Sequence, residues 1–248
     1  MRTVAKMSWI EIKLFVREPL TVVFTLALPS FILFIMGGVF GNTPDPDGVV
    51  YRGVGPMDYY VPAYIGLMIA SIGLIGLPVQ LAGYRERGVL RRFRAASVSV
   101  WSVVGSQTLV SFVVALAGVA LLVGVASIAY DFNLPQSPGA VIAAFVLSVL
   151  TFAALGIFLG ALLSTARAAQ GAGVLLWFVM MILSGAGPPP EVLNTAMRAI
   201  SNLTPLKYVI LLLQDPWIGF GWDVSVMGIV FGFLLVPALL TVRFFRWE

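Results

Sequence analysis

The chain has 248 residues, of which 60% are hydrophobic and only 10% charged, with a formal net charge of +4 and a mean hydropathy of +1.00. Soluble domains carry about 25% charged residues, and a single aqueous core cannot hide this much apolar surface, whereas lipid can cover the outside of a helical bundle. Cysteine and histidine are both absent, which excludes disulfides, thiol nucleophiles, histidine bases, haem ligation by histidine and the commonest zinc sites.

Residues 1–18 read as an interfacial helix. At 100° per residue, Arg2, Lys6, Lys13 and Arg17 cluster on one side, and Val4, Met7, Leu14 and Phe15 lie broadly opposite. Glu11 interrupts the apolar face; it is expected to snorkel or fold back to a neighbouring lysine, the alternative being a contact with protein. Windows of about 20 residues, the length that crosses a bilayer, place six spans at 20–40, 60–81, 103–129, 140–163, 171–187 and 224–242. The first is read as a retained span and not a signal peptide, because its apolar run is long and its leader carries Glu11 and Glu18. Pro19 suits its first turn.

Pro62 and Pro78 bracket the second span, where Pro78 is expected to free a carbonyl. Directly after it comes "YRERGVLRRFRAASVS", residues 84–99, with five of the fifteen basic residues of the chain. Gly83 and Gly88 offer places to turn, and the run after Gly88 suits a short amphipathic helix. Its arginines suffice to hold topology and touch anionic lipid; nothing here forms a nucleic-acid-binding module. Glu86 between Arg85 and Arg87 adds a mixed-charge cluster suited to setting register against a soluble partner. Farther on, Gln80, Gln107, Ser111, Ser148 and Thr151 are mild polar groups read as helix-to-helix hydrogen bonds, and Gly156 and Gly160 as a close-packing G-x-x-x-G pair. The central parts of the spans hold no ionisable residue, which speaks against proton- or ion-coupled transport.

The fifth span is the shortest and runs into "GPPPEVLNTAMRAISNLTPL". Pro188, Pro189 and Pro190 cannot continue a helix, and Pro205 must interrupt the next one. Two short helices joined at Asn202 to Pro205 and re-entering the membrane over residues 187–213 reconcile these breaks with the apolar composition. Val192, Leu193, Ala196, Met197 and Ile200 are expected on one helical face, with Glu191, Asn194 and Arg198 on the other. With both termini cytoplasmic, twelve basic residues fall inside (Arg2, Lys6, Lys13, Arg17, Arg85, Arg87, Arg91, Arg92, Arg94, Arg167, Arg243, Arg246) and three outside (Arg52, Arg198, Lys207). Most carboxylates, including Asp45, Asp47 and Asp58, fall outside, with Glu11, Glu18, Glu86 and Glu248 inside.

The stretch 84–99, the leading amphipathic segment, six apolar spans and the Asn202-Leu203-Thr204-Pro205-Leu206 run together resemble the ABC-2 family of exporter permeases over nearly the whole chain. The resemblance implies an all-α integral membrane protein, a single domain over residues 1–248, with six transmembrane helices, an N-terminal interfacial helix, a coupling helix and an outer re-entrant hairpin between helices five and six. It assigns ATPase coupling to Glu86 and Arg87 as polar contacts, Gly88 as the turn and Arg91 as an outer contact, and the outer hairpin to Pro188, Pro189, Pro190, Asn202, Leu203 and Pro205. Family members usually carry a proline after the coupling helix; Ala96, Ser97 and Val98 stand here, leaving the turn geometry open. No G-x-x-x-x-G-K-[ST] occurs, so ATP and Mg would be held by a separate cytoplasmic ATPase subunit, with no cofactor on this chain. A second permease chain, identical or not, and membrane lipid complete the implied partners; nucleic acid is not among them. The implied role is export of an amphipathic small molecule or drug across a bacterial inner membrane. A lipid, glycolipid or polysaccharide cargo is the alternative within the family, and an ATP-independent channel or secondary transporter the alternative outside it. No residue set nominates a nucleophile with its base, which argues against a membrane enzyme.

Overall fold

The computed structural model describes residues 2–44 and 50–244; Asp45, Asp47, Arg246 and Glu248 lie outside them. Every regular element among the described residues is helical. Helix α1 covers Arg2–Val16, and α2 runs as Pro19–Val22, a π-helical turn Val23–Ala27 and Leu28–Phe40. Helix α3 covers Pro56–Glu86 with a π-helical turn at Ile72–Gly76, α4 covers Val89–Ala95, and α5 covers Val100–Ala129. Helices α6 (Pro138–Leu162), α7 (Ala166–Leu183), α8 (Thr195–Ser201), α9 (Pro205–Ile218) and α10 (Val224–Phe244) follow. Five of these, α3, α5, α6, α7 and α10, are long and apolar enough to cross a membrane, and Thr25–Phe40 is a shorter apolar helix. The protein is therefore an all-α, multi-spanning membrane protein.

Three boundaries differ from the sequence reading, each for a local reason. The second helix does not turn at Gly83 but continues to Glu86, because the chain first leaves helical geometry at Arg87 (φ −85°, ψ 2°), ahead of the left-handed Gly88. The fifth starts at Ala166, where the Thr165 side chain accepts a hydrogen bond from the Ala168 N–H at 3.2 Å, and it ends at Leu183 before a left-handed Gly185. Within the expected amphipathic helix after the three prolines, Pro190–Val192 is a 3₁₀ turn and Leu193 and Asn194 are extended, so the helix is confined to α8. Leu193 is buried there but Val192 and Ile200 are exposed, so the five apolar residues do not share one buried face.

Helix α3 is the centre of the bundle. Nearly all of its residues from Pro56 to Ile75 are buried, as befits a helix apolar on every side. It packs on α9 along its first half, on α6 and α7 around its π turn and beyond, and on α2 and α5 elsewhere. The two π turns stand at the same offset before a proline, at Pro29 and Pro78. A proline lacks the N–H and presses on the carbonyl four residues back; each π turn shifts the ladder by one residue, so that the Leu28 N–H donates to Val23 O and the Leu77 N–H to Ile72 O. The Thr25 carbonyl left by Pro29 accepts the Ser71 hydroxyl of α3 at 3.2 Å. The Leu74 carbonyl left by Pro78 faces α7 at Gly173, where a Cβ would stand 2.1 Å from its oxygen. Gly156 of α6 meets the Gly73 carbonyl in the same way, and Gly160 rests on Leu81 and Pro78. The G-x-x-x-G pair is thus the surface on which a kinked helix lies.

Candidate functional site

The bundle has a basic end, formed by α1, α4 and the turn between α6 and α7, and a loop end, formed by the connections that include residues 41–44, 130–137, 184–194 and 219–223. At the basic end Gly88, with φ +70°, makes the left-handed turn that separates α3 from α4. Leu90 then points into a small apolar cluster with Leu81, Tyr84, Val103 and Ile157, and it is fully buried. Arg87, Arg91, Arg92 and Arg94 remain exposed. One side of α4 is therefore anchored and the other is a basic face.

The turn after α4 is closed without proline or glycine. Val98 donates its N–H to Phe93 O at 2.9 Å and Ser97 to Arg94 O at 3.0 Å, the paired bonds of a Schellman cap with Ser97 in the left-handed position at φ +54°. Val98 and Phe93 both pack on the Leu90 cluster, which supplies the apolar contact that usually accompanies such a cap.

The mixed-charge cluster has a use inside the chain. Arg85 donates from Nη1 to the carbonyls of Gly160 at 3.0 Å and Leu163 at 2.8 Å, closing the C-terminus of α6. The Glu86 carboxylate accepts the Ala166 N–H at 3.0 Å, at the N-terminus of α7. A cation on carbonyls and an anion on an amide are each matched to the partial charge of the helix end they meet. Arg87 donates from Nε to Gly83 O at 3.2 Å, and its guanidinium lies 5.9 Å from the Tyr84 ring centroid. Of the four coupling residues read from the sequence, Arg91 alone is on α4, and Glu86 is committed to α7.

Glu11 is the residue the sequence reading misplaced. It neither snorkels nor turns to a lysine: it is 3% exposed and accepts from Tyr84 Oη at 2.5 Å and from the Gln80 amide of α3. Burial pushes its carboxyl above the usual carboxylate value, while the hydrogen bonds pull the other way. Lys13, the nearest candidate, lies over the Trp9 ring instead. The signal was present, since a carboxylate breaking an apolar face asks for a protein partner.

At the loop end Pro188 and Pro189 carry the chain away from α7, and Pro190 opens the 3₁₀ turn. Arg198 of α8 donates from Nη2 to the carbonyls of Pro190, Glu191 and Leu193, and Asn194 caps α8 by accepting the Met197 N–H at 2.9 Å. Asn202 joins α8 to α9, its carbonyl accepting from Tyr208 Oη at 2.8 Å and its side chain from Lys207. Leu203 is exposed, Pro205 opens α9 at its first turn, and Leu206 is fully buried. Beyond them, Arg52 pairs with Asp215 of α9 at 2.7 Å from a turn in which Tyr51, Arg52 and Gly53 all have positive φ. Tyr59 and Tyr60 of α3 donate to the carbonyls of Gly185 and Gly187 at 3.1 and 3.0 Å.

Along the outside of α7 runs an open groove lined by Arg167, Gln170, Gly171, Val174, Leu175 and Phe178. Among the described residues no group of three or more Asp or Glu side chains is placed to hold a metal ion. The model of the ABC-2 type transporter family matches residues 3–216. The chain belongs to the ABC-2 type transporter family. It is thus a membrane permease, a non-catalytic component of a transport system, and the match spans α1 through most of α9. Comparison with curated proteins finds no match to this permease.

Proposed function

We propose that this permease is the membrane half of an ATP-driven exporter for an amphipathic small molecule or drug, working with a second permease chain in a bacterial inner membrane. Six crossings put both termini and the basic end in the cytoplasm, and α8 with α9 forms a re-entrant hairpin that closes the outer end of the pathway. A cytoplasmic ATPase subunit, which would hold ATP and Mg, docks on α4. The observation that carries this reading is the division of α4 into a buried anchor, Leu90, and an exposed basic face: a short helix fixed to the bundle can pass a displacement on, whereas a loose basic loop would absorb it. The groove on α7, apolar apart from Arg167 and Gln170 at one end, supports an amphipathic cargo over a charged one.

Glu86 is better read as holding the α6–α7 turn than as touching the ATPase, so the test rests on Arg91 with Arg87 beside it. Arg91→Glu and Arg87→Ala are expected to lower co-purification with the proposed ATPase subunit, and to lower transport-coupled ATP hydrolysis at least several-fold, while the permease remains in the membrane. Wild-type coupled turnover in both variants overturns the docking assignment.

A further inference from the structure

The carboxyl of Glu11 lies where three helices meet. Its own helix α1 packs along α5, and Ser8, one turn earlier, donates to Ser106 O of α5 at 3.3 Å. From α3, Gln80 and Tyr84 both donate to Glu11 Oε2. From α5, Gln107, which is 1% exposed, brings its amide beside the same carboxyl. Two donors thus converge on one oxygen of a buried carboxyl. A proton on Glu11 removes the charge that this site would otherwise bury.

The surrounding charges do not offer an alternative. No lysine or arginine among the described residues forms an ion pair with Glu11, and α2 and α5 carry no charged side chain at all. On α1, Lys13 covers Trp9; at the end of α3, Arg85 closes α6, Glu86 meets α7 and Arg87 lies over Tyr84. Glu18, just beyond α1, adds negative potential at Tyr84. An anion here would be buried with two donors and no cation.

We propose that Glu11 is a proton-binding site: the neutral acid seats α1 against α3 and α5, and loss of the proton releases it. The link to the rest of the basic end is Tyr84, whose hydroxyl meets Glu11 and whose ring packs edge-on against Phe93 of α4 at 6.2 Å. Proton occupancy at Glu11 thereby sets how firmly α4 is held. The inference rests on the packing of α1 and stands whether or not the docking assignment does.

Because the folded state holds this proton more tightly than the unfolded chain, the stability it contributes is complete below the usual carboxylate range. That contribution is lost as pH rises through the raised value. The chain has no cysteine, so a single Cys at Ser8, which is 3% exposed, reports release of α1, with a Cys at the exposed Lys6 correcting for thiol ionisation. In the purified full-length permease the ratio of Ser8→Cys to Lys6→Cys labelling is expected to rise several-fold with pH. Glu11→Gln should flatten that rise, and infrared difference spectra against it should show a carboxylic acid carbonyl band that persists above the usual carboxylate range. Tyr84→Phe, which removes a donor to the anion, should move the loss of that band to higher pH. A flat ratio in the native Glu11 background, an equal rise in Glu11→Gln, or loss of the acid band within the usual carboxylate range overturns the proposal. So does a ratio that follows sodium or potassium at fixed pH, which would place a cation in the cluster.

Discussion

A single methyl group tests how closely the kinked part of α3 is held. At Gly173 a Cβ would stand 2.1 Å from the Leu74 oxygen and 3.2 Å from the Ile75 Cα, both backbone atoms that cannot rotate away. Gly171, two residues earlier on α7, has nothing within 4 Å of the same position. Gly173→Ala is therefore expected to destabilise the permease by about 1–3 kcal/mol, the usual result of overpacking, and Gly171→Ala to be neutral or slightly stabilising through helix propensity. Thermal denaturation in detergent, followed by the monodisperse fraction on size exclusion, compares the two; equal loss for both would mean that α7 does not bear on the π turn. A glycine in a span reads from sequence as a packing residue, but only the kink at Pro78 says which of the two glycines is held. The same limit applies to Glu11. Its break in the apolar face was visible, while its partner Tyr84 lies 73 residues away along the chain and no periodicity connects them.

Among the elements, the turn between α6 and α7 shows how a charge pattern can be legible while its use is not. The alternation Arg85-Glu86-Arg87 suggests an external partner, yet Arg85 and Glu86 close two helix ends that no local spacing identifies. Helix ends leave unpaired backbone groups wherever they fall in the fold. Arg85→Ala and Glu86→Gln should each cost about 1 kcal/mol of stability, as for the loss of a helix cap. Glu86→Gln should leave ATPase co-purification close to wild type, whereas Arg91→Glu should not. Pull-down of the two variants side by side decides it, and loss of binding in Glu86→Gln with unchanged stability would return Glu86 to the docking face. Long apolar runs were readable because about 20 residues suffice to cross hydrocarbon. Their ends were less so: the Thr165 cap moves the start of α7 to Ala166, and helical geometry through Gly83 carries α3 into the basic stretch.

At the scale of the whole molecule the arrangement of ends can be checked by labelling, since every introduced cysteine is the only one. Single Cys residues at Asn194 and Arg198 are expected to react with a membrane-impermeant thiol reagent added outside, Leu206, which is fully buried, to be protected, and Arg243 to react only when the inside is opened. External labelling at Arg243 would overturn the proposed six crossings. The central place of α3 has a further consequence for biogenesis. The ribosome delivers α3 before α6, α7 and α9, which cover it in the finished fold. Until those helices arrive, the faces they will cover meet lipid, and the backbone groups there must be satisfied within the segment. The apolar surface of α3 is thus required twice, first for entry into the bilayer and later for burial against protein. A polar substitution on those faces whose hydrogen-bond partner lies on α6, α7 or α9 has none during insertion.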